Sequence, residues 1–281
     1  MEKQQTLKAV VSYSGITLHT GVRATLRINP AEENFGIWFR RVDRPGAPMV
    51  RAVVGNVVDV RRGTTIAQGE AVVATVEHVM ASLHVCGVDN AIVDMTGPEP
   101  PILDGSAIEF LQGIIDTGVV EQSAEAEFLN LAAPVTVDHG NTQLAISPAE
   151  SLRIHCTASF KNCPFDPQFF SLEITRESFL NEIARARTFV DYNDLRQLLA
   201  MGLIKGGSLD NAAILHNGAI ICKDHLNWQN EIVRHKILDI VGDLYLTGRR
   251  VRGNVVAVKP GHPSNVALAQ EIVKQISQKS N

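Results

Sequence analysis

The sequence contains no closely spaced pair of cysteines. Its 281 residues include four cysteines (Cys86, Cys156, Cys163 and Cys222), and no two of them show CxxC spacing. Three of them lie in or beside apolar runs, where a free cysteine behaves as a small core hydrophobe. A disulfide framework is therefore not expected, and a reducing compartment fits better.

A basic surplus and a long apolar run are missing as well. The chain has 26 basic and 30 acidic residues, a net charge of −4, whereas nucleic-acid binders usually carry a basic surplus. No apolar stretch reaches the about 20 residues that span a bilayer, and no apolar region follows the N-terminal charges as in a signal peptide. We expect a cytoplasmic protein without stable membrane insertion, nucleic-acid partner or implied protein partner.

The first half of the chain alternates strand and helix patterns. Residues 7–60 indicate short strands punctuated by glycine and proline, and residues 72–86 form an apolar segment of helix length. A strand is predicted over 89–96 and a second helix from about 104 to 117. The acidic stretch 121–127 has little apolar periodicity and is interpreted as a linker.

The second half repeats this progression without a clear sequence repeat. Its predicted elements are strands at 128–138, 142–147, 152–160 and 169–174, helices at 176–184, 192–201 and 227–246, a strand at 253–259 and a helix at 264–278. In both halves strands come first, followed by helices with a late strand. We therefore predict an α+β protein of two layered domains, 1–124 and 125–281, a length that allows a sizeable core in each.

Polar residues form a stripe on the predicted helix 227–246. His235 and Asp239 are four residues apart, so they lie on one face and can direct a nitrogen and a carboxylate oxygen to one point. Glu231 and Asp243 continue the stripe. The alternative is a solvated face of an amphipathic helix, and the spacing alone does not decide between the two.

Glu77 and His78 are almost surrounded by apolar residues in the segment 72–86, which favours burial. A buried carboxylate and imidazole are costly unless they are paired, hydrogen-bonded or metal-bound, so a satisfied core pair is the alternative. His78 can complete a three-ligand zinc site with His235 and Asp239, leaving a fourth position for water, as in catalytic zinc sites. An adjacent carboxylate can then remove a proton from that water, although the HExxH motif is absent.

Other candidates are weaker when taken alone. His262 follows a predicted strand on a Gly/Pro turn, where catalytic groups are common, but an exposed and idle histidine is the alternative. Thr188 by itself suggests only a loop hydroxyl, and the run 206–208 (Gly-Gly-Ser) is too short and wrongly placed for a phosphate loop.

Together these pieces resemble the zinc-dependent UDP-3-O-acyl-N-acetylglucosamine deacetylases of lipid A synthesis. The resemblance runs from the first strands almost to the C-terminus, in the blocks Gly15-Ile-Thr-Leu-His19-Thr-Gly21, Thr75-Val-Glu-His78, Asp89-Asn-Ala, Gly97-Pro-Glu-Pro-Pro-Ile-Leu-Asp-Gly-Ser106, Ala184-Arg-Ala-Arg-Thr-Phe189, Gly206-Gly-Ser-Leu-Asp-Asn211, Val233-Arg-His-Lys-Ile-Leu-Asp239, Gly242-Asp-Leu-Tyr and Gly261-His262. The joint match is specific, although no block would be specific alone.

The resemblance implies two domains, each a β-sheet layered with two helices, and an active site between them. It implies zinc on His78, His235 and Asp239, with Fe(II) suiting these ligands about as well. Glu77 would be the general base that takes a proton from zinc-bound water. The water would attack the acetamide at C2 of the glucosamine, and acetate would leave.

Further catalytic roles follow from the same resemblance. Thr188 would help zinc to stabilise the oxyanion, and His262, as imidazolium, would protonate the leaving amine. Asp243 would orient His262 and raise its pKa. Asp104 is a candidate for supporting the site, with a helix cap as its alternative.

The resemblance also implies contacts with an acylated UDP-sugar. Lys236 would meet the diphosphate or sugar, and Phe189 would pack against the sugar. The acyl chain would pass Leu18, His19 and Gly207, with Gly207 at the entrance of its passage.

Two stretches depart from the family pattern. Where the family shows a His-Pro pair, this chain has Phe160-Lys-Asn-Cys163-Pro164, and Phe160 would still stack on uracil. Pro263 follows His262, where it removes a backbone donor and restricts φ, which could shift His262. Two alternatives therefore stay open: a paralogue that deacetylates another nucleotide sugar or amide, and a noncatalytic binding protein with a structural metal.

Overall fold

The computed structural model describes residues 2–277, with the side chain of His139 left aside. The first half contains strands and helices in the order β1 (Lys3–Leu7), β2 (Val11–Ile16), β3 (Arg23–Pro30), β4 (Ile37–Arg41), β5 (Met49–Arg51), β6 (Val57–Asp59), β7 (Thr65–Gln68), β8 (Ala71–Val73), α1 (Glu77–Val85), β9 (Ala91–Met95), α2 (Ile108–Thr117) and β10 (Val119–Glu125).

A five-stranded sheet in the order β2-β3-β9-β4-β5 organises this half. Its strands are antiparallel except for β9 and β4, which run parallel. Leu26, Ile28 and Phe39 are completely buried and alternate with more exposed residues, so one face of the sheet carries the core. Helix α2 contacts this sheet, and the Tyr13 hydroxyl of β2 donates to the Phe110 carbonyl.

The second half follows the same plan. It contains β11 (Val135–His139), β12 (Thr142–Ser147), β13 (Leu152–Ala158), β14 (Gln168–Glu173), α3 (Arg176–Glu182), β15 (Thr188–Asp191), α4 (Tyr192–Ala200), β16 (Ala212–His216), β17 (Ala219–Ile221), α5 (Glu231–Tyr245), β18 (Gly253–Val258) and α6 (His262–Ser277). The predicted C-terminal helix is confirmed as α6, and residue 278 lies outside the described residues.

The two halves share one topology. The second five-stranded sheet has the order β11-β12-β18-β13-β14. In each five-stranded sheet the strand that comes last in the chain lies at the centre, parallel to the third strand of that sheet in chain order. Helices α1 and α5 precede these central strands, and α2 and α6 follow them. The predicted α+β fold of two layered domains is confirmed. The exact boundary at 124/125 stays a prediction, since β10 crosses it and pairs with β1.

Helices α1 and α5 pack against each other and join the two halves. Nearly every residue of α5 is buried, including Glu231, His235, Asp239 and Asp243. The alternative of a solvated polar face on this helix is therefore wrong. These polar residues lie at the contact between two cores, which the sequence period alone could not distinguish from solvent.

Two boundaries differ from the sequence predictions. The helix predicted over 72–86 begins only at Glu77. Val73 of β8 pairs with Ile66 of β7, and Thr75 has a φ of 56°, which a right-handed helix does not allow. The predicted linker 121–127 is largely strand: β10 pairs with β1, a partner more than a hundred residues away that local periodicity cannot reveal.

A three-stranded sheet in the second half was not predicted. Strands β15, β16 and β17 form it, with Thr188 at its first position, so this residue begins a strand and is not in a loop. Conversely, the strand predicted over 128–138 is confirmed only from Val135, and Phe128 makes an isolated bridge to Arg250. Within residues 2–277, no helix combines the length and the apolar character needed to cross a membrane.

Candidate active site

Three candidate metal ligands converge where α1 meets α5. One donor atom from each of His78, His235 and Asp239 lies within 4.8 Å of the others, and all three side chains are buried. His78 comes from α1, and the other two are one turn apart on α5, with His235 Nε2 3.5 Å from Asp239 Oδ1. Two remote segments thus present two imidazoles and a carboxylate to one point, as the sequence predicted.

The hydrogen bonds around these side chains leave donor atoms free. His235 Nδ1–H donates to the Ala186 carbonyl (2.9 Å), which leaves Nε2 with its lone pair facing Asp239. Asp239 Oδ2 accepts from Lys236 Nζ (2.8 Å), whereas its buried Oδ1 has no hydrogen-bond partner among the described residues. A buried carboxylate oxygen without a hydrogen-bond partner, next to an unprotonated imidazole nitrogen, costs free energy. A divalent cation would bind both atoms and remove this cost. The residues therefore fit a metal ion.

The charges of the three groups agree with this fit. Burial and the neighbouring His235 lower the pKa of His78 to about 3, and burial lowers the pKa of His235. Burial alone would raise the pKa of Asp239, but Lys236 and the histidines outweigh it and hold that pKa below its usual range. Two neutral imidazoles and a carboxylate are the protonation states that metal binding requires.

Glu77 lies beside this centre at the start of α1. Its Oε2 accepts a hydrogen bond from the Thr64 backbone N–H (3.0 Å), and a Cβ at Gly63 would lie 3.2 Å from Oε1. Burial raises the pKa of Glu77 to about 7; His262 opposes the rise, and Asp243 and Asp239 add to it. A carboxylate that titrates near neutral pH suits general-base chemistry.

His262 faces Glu77 across the centre. Its Nε2 is 3.9 Å from both Glu77 Oε1 and Asp239 Oδ2, while Nδ1 is 2.9 Å from Asp243 Oδ2. Burial alone would lower its pKa, but the carboxylates, Asp243 first, raise it to about 9. His262 is buried, so the alternative of an exposed histidine is wrong. Pro263 lies in the first turn of α6, where a missing N–H removes no helical hydrogen bond.

A cavity of about 410 Å³ opens over this centre. The candidate metal ligands, the predicted catalytic residues Glu77, Thr188 and His262, and the predicted substrate-binding residues all line it; the last are Leu18, Phe160, Phe189 and Lys236. Phe160 and Phe189 pack edge to face with centroids 4.8 Å apart, and Lys236 Nζ is 5.2 Å from the Phe189 ring. The aromatic pair and the cation therefore lie close together.

A second, largely apolar cavity of about 320 Å³ adjoins the first. Leu18, Arg62, Thr188 and Phe189 line both cavities. Further apolar lining comes from α4, β16 and the turn after α4, through Leu195, Leu198, Leu199, Ile204, Leu209, Ala212 and Ile214. His19 and Gly207, predicted near the acyl route, line this cavity as well.

Comparison with known proteins identifies the family. Residues 4–274 match the LpxC family model, described as UDP-3-O-acyl N-acetylglycosamine deacetylase. The chain belongs to this family.

Several deacetylases of the LpxC family are similar to the chain over nearly its whole length. The UDP-3-O-acyl-N-acetylglucosamine deacetylase of Citrifermentans bemidjiense is 44% identical over 272 residues, covering 97% of this chain and 89% of the relative. The protein of the same name from Chlamydia felis is 43% identical over 274 residues (97% and 98%), and that from Myxococcus xanthus is 41% identical over 274 residues (98% and 87%). Members of this family are metal-dependent hydrolases, which agrees with the donor set described above.

Two residues that contact Asp243 in this LpxC family member were missed by the sequence analysis. The Thr64 hydroxyl donates to Asp243 Oδ1 (2.6 Å), and Asn265 Nδ2 donates to Oδ2 (2.9 Å). Asn265 stood in a stretch that departs from the family pattern, and no sequence signal distinguishes Thr64. The packing of the two halves brings Thr64 to this carboxylate, and the packing of α6 against α5 brings Asn265 there.

Asp104 lies at the entry of α2 and lines neither cavity of the site. Its carboxylate accepts from the Ser106 backbone N–H (2.9 Å) and hydroxyl (2.7 Å), and the Ser106 oxygen accepts from Ile108 N–H at the start of the helix. These contacts resemble a helix-entry turn, which is nearer to the capping alternative.

Proposed function

We propose that this protein hydrolyses the N-acetyl group of UDP-3-O-acyl-N-acetylglucosamine, releasing acetate and the free 2-amine in an early committed step of lipid A synthesis. The observation that carries the proposal is the convergence of His78, His235 and Asp239 within 4.8 Å, flanked by Glu77 and His262. The relatives bear the name of this deacetylase over nearly the full chain.

We assign the metal to His78, His235 and Asp239, and propose Zn²⁺ as the ion, with Fe²⁺ as the alternative. A bound divalent ion lowers the pKa of a coordinated water and polarises the acetamide carbonyl. Lys236 keeps Asp239 anionic by donating to Oδ2, so that Oδ1 stays available as a ligand.

Glu77 serves as the general base. With a pKa of about 7 it is largely ionised above neutral pH, and it takes a proton from the attacking water as the new C–O bond forms. The Thr64 N–H holds Oε2, so Oε1 is the oxygen directed at the His262 side of the cavity.

His262 serves as the general acid. Its Nδ1–H donates to Asp243, and the proton on Nε2 faces the cavity 3.9 Å from Glu77 Oε1. As the amide C–N bond breaks, this proton passes to the leaving 2-amine, and acetate keeps the oxygen of the water. Asp243 holds the ring in this orientation and favours its protonated state.

Thr188 supplies a hydroxyl to the developing oxyanion. It lies at the first position of β15 and lines both cavities, so its hydroxyl lies at the wall that the acetamide would contact. A donor on a strand costs little reorganisation during the reaction, which is the basis of oxyanion stabilisation.

The two cavities would hold different parts of the substrate. Lys236 would meet the diphosphate or sugar, Phe189 would pack against the sugar and Phe160 would stack on uracil, all in the cavity that the metal ligands line. The 3-O-acyl chain would enter the apolar cavity past Leu18 and between His19 and Gly207. Burial of the acyl chain in this cavity removes apolar surface from water and contributes to substrate binding.

We also propose a cytoplasmic location and a division into domains at 124/125. The four cysteines form no disulfide, which fits a reducing compartment. The two five-stranded sheets lie on either side of the proposed boundary. We assign no protein partner.

The test is acetate release by the purified, Zn²⁺-loaded protein. UDP-3-O-acyl-N-acetylglucosamine should yield acetate and amine in equal amounts, detected by mass spectrometry, and the substrate without the acyl chain should react much more slowly. Equal rates with both substrates would favour a paralogue with another nucleotide sugar or amide as substrate. Bound zinc without hydrolysis of any of them would favour a binding protein.

A further inference from the structure

Thr64 contacts three of the groups assigned to the chemistry at once. Its side chain is completely buried, and it directly precedes β7 in the chain. Its backbone N–H donates to Glu77 Oε2 (3.0 Å), its hydroxyl donates to Asp243 Oδ1 (2.6 Å), and the hydroxyl oxygen lies 3.3 Å from His262 Nδ1. One residue therefore bonds both the proposed base and the carboxylate that orients the proposed acid.

The hydroxyl completes the bonding of Asp243. Oδ2 of this carboxylate accepts from His262 Nδ1–H and from Asn265 Nδ2, whereas Oδ1 accepts from Thr64. The terminal torsion angle of an aspartate (χ2) has a broad distribution, so the side chain alone restrains its carboxylate only weakly. Donors at both oxygens hold the carboxylate plane, and with it the ring of His262.

The bond also crosses between the halves of the molecule. Thr64 and Glu77 belong to the first half, while Asp243, His262 and Asn265 belong to the second. The Thr64 side chain lines neither cavity, so it has no direct access to substrate. Any effect on turnover must therefore pass through the groups it holds.

We propose that Thr64 is a positioning residue that holds the Asp243–His262 pair in register with Glu77. This inference rests on the proposed function. Without its hydroxyl, the buried Oδ1 loses its donor and the carboxylate is free to turn toward other partners. The His262 ring then follows the carboxylate, and the proton on Nε2 is no longer aligned with the leaving amine.

The first test compares Thr64→Val with Thr64→Ser. Valine has nearly the same shape and keeps the backbone N–H to Glu77 but removes the hydroxyl, whereas serine keeps the hydroxyl. We expect Val to lower kcat about 10- to 100-fold with KM changed less than about twofold, and Ser to restore kcat to within about threefold. Zinc content should be the same in all three proteins.

A second test uses the Asp243→Asn background. If Thr64 acts through this carboxylate, adding Thr64→Val there should lower kcat little further, since residues that act as a unit are not additive. Should the Val protein not fold, Thr64→Cys takes its place, because a thiol of similar size is only a weak donor. Independent, additive losses would overturn the proposal.

A spectroscopic test does not depend on turnover. The His262 Nδ1–H proton can be observed by NMR in the 15N-histidine-labelled, metal-free protein and assigned by its loss in His262→Gln. We expect it to shift or broaden in Thr64→Val and to be unchanged in Thr64→Ser. Full kcat and an unshifted resonance in Thr64→Val, or equal losses in Val and Ser, would overturn the proposal. An inactive wild-type protein with a resonance that responds as expected would instead contradict only the proposed deacetylation.

Discussion

Gly242 of α5 lies directly against the main chain of Glu77 in α1. A Cβ at position 242 would come within 2.1 Å of the Glu77 carbonyl oxygen, closer than any real contact allows. Glycine therefore permits the close crossing of these helices. Because Glu77 and His78 are at the start of α1, and His235 and Asp239 precede Gly242 on α5, this crossing brings the metal ligands together.

Gly242→Ala should destabilise the protein despite the better helix propensity of alanine. Alanine in a helix gains up to about 1 kcal/mol over glycine, but the added methyl forces α1 and α5 apart. We expect a net loss of about 2 kcal/mol in the free energy of unfolding, measured by urea denaturation, together with weaker metal binding. Gly55→Ala is the control, since nothing lies within 4 Å of a Cβ there. Equal stability of the two variants would contradict the close crossing.

Removal of the metal should abolish activity reversibly. Dialysis against a chelator should lower bound zinc below about a tenth of an equivalent, and zinc should restore turnover. Asp239→Asn keeps the size of the side chain but loses the carboxylate charge, and should reduce metal affinity at least about tenfold. Asp138→Asn is a matched control on β11, remote from the ligand set. Unchanged zinc content in Asp239→Asn would exclude Asp239 as a ligand.

Glu77→Gln should separate metal binding from chemistry. Glutamine keeps an oxygen for the Thr64 N–H but cannot take a proton, so kcat should fall about 10²- to 10⁴-fold. Zinc content and KM should be close to those of the wild type, because Glu77 is outside the ligand set. Full turnover by this variant would exclude Glu77 as the base.

His84 should make stability fall in mild acid. This half-buried residue stacks on Tyr245, its Nδ1–H donates to the Val241 carbonyl and its Nε2 accepts from Val251 N–H. Desolvation is the largest cause that lowers the pKa of His84 from 6.5 to about 4. At pH values between 4 and 6.5 the unfolded chain binds a proton at this residue that the folded protein does not, so stability is lost as the pH falls through this range.

The expected size of this effect is about 2 kcal/mol between pH 7 and pH 5, since each pKa unit corresponds to about 1.4 kcal/mol. Urea denaturation of the chelator-treated protein at both pH values measures it. His84→Phe keeps an aromatic stack on Tyr245 and removes the titration, so its pH dependence should be smaller by that amount. Identical pH dependence in the two proteins would contradict the prediction.

Ala212→Phe should impair binding of the acyl chain. Ala212 lines the apolar cavity in β16, and a phenyl ring there occupies part of its 320 Å³. We expect KM for the acylated substrate to rise at least about tenfold, while slow turnover of the unacylated substrate is unchanged. Ala219→Phe on exposed β17 is the matched control. Equal effects on both substrates would argue against this cavity as the acyl site.

Several features of the site could be predicted from residues alone. The i,i+4 pair of His235 and Asp239 and the apolar surroundings of Glu77 indicated a buried polar centre, and the structure places His78 beside His235 and Asp239. Spacing on a helix determines which side chains share a face, and this relationship does not depend on the tertiary structure. It could not decide between a ligand set and a solvated face, because that depends on what packs against the helix.

Other features depended on long-range pairing. The acidic stretch in β10 was interpreted as a linker because its partner β1 is remote in sequence, and β15 to β17 carried no distinct pattern. Thr64 gave no signal, since its two bonds join atoms that only the folded chain brings together.

Local chemistry was thus encoded in the chain itself: which residues can bind a metal, share a helix face or remain reduced follows from side-chain type and spacing. The convergence of these residues in space was not encoded in this local way. The contact of α1 with α5, permitted by Gly242, decides that His78 meets His235, and that Asp243 lies between Thr64 and His262. At that contact burial raises the pKa of Glu77 and the neighbouring carboxylates raise the pKa of His262, because desolvation and neighbouring charges exist only after the two halves have packed.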